Sequence, residues 1–113
     1  MKKIIVFATA ILALAACKQE NNDLLKEKVE SYAVVEVTSP LYDALSENDK
    51  KIVGIFRQAA EIMDGLFWKQ TFGDKSEMEA LTDEYAKAYA MINYGPWDHL
   101  DNNAPFIEGY GEK

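Results

Sequence analysis

Ser46–Phe72 reads SENDKKIVGIFRQAAEIMDGLFWKQTF, and the fold turns on how this run is read. Ser46 stands three residues before Asp49, a weaker form of the box in which a serine and an acidic residue cap a helix start reciprocally. Ile52, Phe56, Ala59, Ala60, Met63, Leu66 and Phe67 then recur at helical spacing and form one apolar stripe. The pattern predicts a helix over about 47–68, with Gly65 as a local cost and Gly73 as the stop.

Downstream, Ser76-Glu77-Met78-Glu79 is a full capping box. Met78, Leu81, Tyr85, Ala88, Tyr89 and Ile92 share a face and predict a second helix over about 77–93. Asn93-Tyr94-Gly95-Pro96 closes it with glycine and proline in the order suited to a helix C-terminus. Two antiparallel helices packed by their stripes are the expected core. Upstream, Leu24, Leu25, Val29 and Tyr32 have rough helical spacing after the caps Asn22 and Asp23. YAVVEVT from Tyr32 reads as extended and stops at Ser39-Pro40. The stretch 94–113 has no usable period but holds Trp97, Leu100, Phe106, Ile107 and Tyr110, side chains that need something to pack on. No internal repeat or low-complexity segment occurs. The fold class is mainly α (α+β if the chain is the front of something larger): two amphipathic helices, a short extended segment and a loop-rich tail.

At the N-terminus, Met1-Lys2-Lys3 precedes an uncharged run, Ile4–Ala16, broken only by Thr9. Thirteen residues are too few to cross a hydrocarbon core as a helix, which takes about 20. The run ends in Leu14-Ala15-Ala16-Cys17, small residues before a cut site, with the chain's one cysteine in place. This resembles the lipobox of bacterial lipoproteins, which implies a signal peptide at 1–16. It also implies lipid on Cys17 and a bacterial envelope location, expected at the outer membrane, with membrane lipid as partner. KQENND, 18–23, reads as a tether. With its one cysteine lipidated, the domain of 24–113 folds without disulfides.

Removing Lys2 and Lys3 takes the formal charge from −7 to −9. An acidic surface excludes nucleic acid as a partner. Catalytic constellations are missing. One histidine, His99, cannot supply a zinc site; it reads as a loop residue bonded to a neighbouring carboxylate. The run DHLDNN lacks the glycine and glutamate of a calcium loop and reads as turn chemistry. Asp43, Asp64, Asp83 and Glu84 read as solvated helix faces. Phe67, Trp68, Tyr85 and Tyr89 read as core before ligand platform. A carbohydrate- or peptide-binding surface of Trp68, Tyr94 and Trp97 is a further, minor reading.

The stretch INYGPWDHLDNNAPFIEGYGEK, Ile92–Lys113, resembles a segment of bacterial dipeptidyl peptidase III zinc metallopeptidases. The likeness rests on Asn93, Tyr94, Gly95, Pro96, Trp97, Asp98, Leu100, Asp101, Asn102, Asn103, Pro105 and Phe106. A looser likeness reaches back to about Ser31, through Tyr32-Ala33-Val34-Val35, Leu45-Ser46, Asp49-Lys50-Lys51 and Trp68-Lys69-Gln70. His99 stands where that pattern has arginine. The resemblance implies the incomplete N-terminal part of a larger, two-lobed, lipid-anchored peptidase releasing dipeptides from peptide N-termini. Its zinc and catalytic lobe would lie beyond this chain, which holds no catalytic or metal residue and is inactive alone. The rival expectation is a complete, small, non-enzymatic lipoprotein acting as an interaction module.

Overall fold

A computed structural model describes residues 18–113. The expected lipidation at Cys17 and the expected signal peptide over 1–16 lie outside the described residues. The chain is mainly helical. Helix α1 covers 18–30, α2 Pro40–Asp43, α3 Glu47–Thr71, α4 Lys75–Glu79 and α5 Glu84–Asn93; strands β1 (Trp97–Asp98) and β2 (Ala104–Pro105) follow. The polar residues 18–23, expected as a tether, form the first turns of α1. Residues 33–39, expected as an extended run, belong to no helix or strand.

Helix α3 starts where the cap placed it. Ser46 Oγ accepts from the Asp49 amide at 3.2 Å and donates to its carboxylate at 2.6 Å, an arrangement worth about 1 kcal/mol. The helix runs a turn beyond the expected end, to Thr71. There the Phe72 and Gly73 amides both donate to the Trp68 carbonyl, and Gly73 takes φ +131.

The single helix expected over 77–93 is broken in two. Asp74, not Ser76, caps α4, accepting from the Ser76 amide at 2.9 Å. Asp83 caps α5, accepting from the Tyr85 and Ala86 amides at 3.0 and 2.9 Å. A carboxylate that satisfies two orphan amides competes with helix continuation, and here it wins. Tyr94 then ends α5 in the left-handed conformation, at φ 55 and ψ 40.

The expected packing of stripe on stripe is also corrected. The described core is two small clusters, one around Leu25, Ala86 and Tyr89 and one around Trp68, Met78 and Ala90. Phe106 packs against both. At about 100° per residue, Asp64, Trp68 and Phe72 lie on the side of α3 roughly opposite Ile52 and Met63. That side docks on the knot formed by α1, α4, α5 and the tail. Tyr94 holds it, its ring tilted against Trp68 at 5.1 Å and edge-on to Phe67 at 4.7 Å, its hydroxyl donating to Asp64 at 2.5 Å. The stripe itself faces outward. Between Ile52 and Phe67 the large apolar side chains are 41–70% exposed, Ile55 and Ile62 among them. A periodic stripe says that a face will be covered but cannot say by what.

Candidate functional site

The tail lacks a period because its order comes from turns and aromatic contacts. Asn93, buried at the end of α5, donates to the Tyr89 carbonyl at 3.0 Å and accepts from the His99 amide at 3.1 Å. Gly95, at φ +147, lets the backbone pass Phe72; an added Cβ would stand 3.4 Å from the Phe72 Cβ and from the Trp97 ring. Pro96 is fully buried. Trp97 pairs with Pro105 and Asp98 with Ala104 across a short antiparallel hairpin. Its connection uses Asn102 and Asn103 at φ 49 and 58, left-handed positions that asparagine tolerates. The Ala104 amide closes on the Asp101 carbonyl at 2.8 Å. Turn chemistry is thus what DHLDNN supplies. Trp97 donates to the Gly111 carbonyl at 2.8 Å, and Phe72, Trp97 and Tyr110 stack mutually at 5.9–6.2 Å. The partner that the tail aromatics needed lies within the chain.

The most polar buried cluster joins this hairpin to α1. Asp98 is 2% exposed and forms an ion pair with Lys28. It also accepts from the Leu100 amide at 2.9 Å. Burial pushes the Asp98 carboxyl up, but the Lys28 ammonium, the Leu100 amide and the Tyr89 hydroxyl outweigh it and hold it below its ordinary range. Burial, helped by Asp98, pushes the Tyr89 hydroxyl up to about 12. A shallow pocket of about 250 Å³ opens beside Lys28, Tyr32 and Asp101. With its ammonium and carboxylate committed to each other, the cluster is an internal tie between distant segments. Sequence spacing could not show it, because Lys28 and Asp98 lie 70 residues apart.

The remaining candidates fall into structural roles. Asp64 accepts from Tyr94, and Asp83 caps α5 while accepting from Asn22. Asp43 and Glu84 are exposed. His99 is exposed too, and its ring Nε2 lies 3.4 Å from Lys113 Nζ, so the expected carboxylate contact is corrected. Trp68, only 2% exposed, cannot serve as a sugar or peptide platform. Among the described residues no group of three His, Cys, Asp or Glu side chains could hold a metal ion, and no helix is long and apolar enough to cross a membrane. Of the twelve residues that carried the family likeness, Leu100 is exposed and most of the others build the hairpin and its seat on α5.

Nudix hydrolase 3 of Arabidopsis thaliana is similar to the chain, 30% identical over 92 residues that cover 74% of this chain and 12% of the relative. The chain therefore spans about an eighth of that relative's length. No family model matches, and no solved structure matches. The relative bears the name of a hydrolase family other than dipeptidyl peptidase III, so the family assignment drawn from Ile92–Lys113 is corrected. The lipid-anchored zinc dipeptidyl peptidase reading falls with it, and the rival reading of a complete small lipoprotein gains no support.

Proposed function

We propose that the described region is an assembly element, one part of a larger two-body fold, in which the knot holds α3 so that its apolar face packs on another protein surface. One observation carries this reading: seven large apolar side chains along 52–66 stand 41–70% exposed on the side turned away from the knot. At roughly 200 Å² for a fully exposed residue of this kind, they leave about 800 Å² uncovered. The largest apolar patch on an ordinary monomer is about 300–600 Å². Val34, Val35, Val37 and Leu41, exposed between 74% and 104%, extend the bare surface along the segment leading into α3. In the Arabidopsis relative, hydrolysis is what the name states of the whole protein; a packing role suits a stretch that makes up 12% of it.

The test is hydrogen exchange with a hydrophobic-dye titration on the chain at low micromolar concentration. Amides of 47–62 should exchange at least tenfold faster than those of 84–93, with dye bound in proportion. Equal protection of both segments without dye binding, in a chain that sediments as a monomer, refutes the reading. Lipid attachment at Cys17, with a membrane location, is a separate proposal supported by Leu14-Ala15-Ala16-Cys17.

A further inference from the structure

We infer that the surface covering α3 is the α3 of a second copy of this chain, packed antiparallel across a two-fold axis near Glu61. The inference rests on the assembly reading above and names its partner. Area gives the first argument. About 800 Å² of exposed apolar surface per copy matches the roughly 800 Å² per partner of a standard specific interface.

Layer complementarity is the second. Ile52, Phe56, Ala59, Met63 and Leu66 follow the alternating four- and three-residue spacing of a helix-pair seam. Setting two copies antiparallel about position 61 places Phe56 on Leu66 and Ala59 on Met63, so that both inner layers are wholly apolar and the small Ala59 meets the flexible Met63. Ile62 faces its own copy on one flank, Ala60 does so on the other, and Val53 meets Phe67. The seam between Val53 and Phe67 holds no buried charge.

Charge supplies the third argument. The chain carries −7, yet α3 balances Glu47, Asp49, Glu61 and Asp64 against Lys50, Lys51, Arg57 and Lys69. Two copies thus meet on a neutral face, and the antiparallel order sets the acidic first turn of one toward the Lys69 end of the other. A helix without excess cations along its apolar border is poorly suited to anionic lipid. Asp64, Trp68 and Phe72 seat each knot on the outer side of the pair, at opposite ends, and the knot reaches the border of the seam only where Tyr94 packs edge-on against Phe67 at 4.7 Å.

The test is site-directed crosslinking of the full chain in a Cys17→Ser background with a short bis-maleimide, read as dimer on a denaturing gel. Ala60→Cys should crosslink at least tenfold more than Glu61→Cys, which points away from the seam. Adding Phe56→Glu should cut the Ala60→Cys yield at least tenfold. A Val53→Cys and Phe67→Cys mixture should give a heterodimer, the signature of antiparallel order. Sedimentation equilibrium should show mass doubling from 12.7 kDa over micromolar concentrations. Equal crosslinking at 60 and 61, or a monomer at 100 μM, overturns the inference; so does protection of Ala60→Cys from maleimide only on addition of phosphatidylglycerol vesicles. A monomer that still binds dye along α3 refutes the second copy and leaves the assembly reading standing. A monomer without dye binding removes both.

Discussion

Removing the Lys28 ammonium by Lys28→Met leaves the Asp98 carboxylate, whose side chain is 3% exposed, without a counter-charge. The Leu100 amide and the Tyr89 hydroxyl still face it, but neither cancels a net charge. Breaking a buried pair by removing one partner costs about 3–5 kcal/mol. The Lys28 side chain is 30% exposed, so water already reaches this pair and the lower end, about 3 kcal/mol, applies. Asp98→Asn is milder, because the freed ammonium can turn to solvent while the amide oxygen keeps the Leu100 amide; about 1–2 kcal/mol is expected. In the double variant no buried charge remains, so its loss should fall short of the sum by at least 1 kcal/mol. Urea unfolding followed by tryptophan fluorescence measures all four corners of the cycle. The pH dependence has a fixed sign. Because the folded Asp98 carboxyl lies below its ordinary range, its stabilisation is complete above that range and is lost as pH falls below about 4. In Lys28→Met, burial acts without the ammonium and moves the carboxyl up, so this acid loss shrinks or reverses and the gap to the parent should narrow as pH falls. A Lys28→Met variant within 0.5 kcal/mol of the parent, or additive costs across the cycle, would refute the argument.

Trp68→Ala should cost about 3–5 kcal/mol in the same unfolding experiment, since Trp68 joins α3 to the knot and is 2% exposed. Tyr89 should make the fold alkali-sensitive. Its hydroxyl, raised from 10 to about 12, contributes stability present below pH 10 and lost as pH climbs toward 12. The amount is about 3 kcal/mol over the two units, read as an alkaline transition by circular dichroism. Gly95→Ala should lower stability by about 1–3 kcal/mol, because φ +147 is strained for alanine and its Cβ meets Phe72 and Trp97; an unchanged melting temperature would count against that geometry. At Cys17, palmitate labelling in a bacterial host should be abolished by Cys17→Ser, and labelling that persists would rule out that site.

Local elements were legible because their causes are local. The Ser46–Asp49 cap sets the start of α3, and Asx chemistry shapes 98–103. The break at 80–83 was harder to see. Asp83 is an ordinary polar residue on a helical pattern until its carboxylate is seen on two amides. The Lys28–Asp98 tie, the knot's main electrostatic link, was illegible for the opposite reason. Its partners stand 70 residues apart and neither has an unusual neighbour.

The sequence alone determined that Ser46–Phe72 is a long capped helix with one apolar stripe, since side-chain period and capping act within a few residues. Tertiary structure decided which side of that helix is buried. Trp68, Asp64 and Phe72 interrupt the polar side near its C-terminal end, and Tyr94 supplies both a ring and a hydroxyl to hold them. A packed aromatic joined by a hydrogen bond seats that short end on the knot. The longer apolar side is met by Tyr94 only at Phe67, and from Ile52 to Leu66 it stays open among the described residues. Periodicity gives a helix its faces; contact between segments far apart in the chain chooses among them.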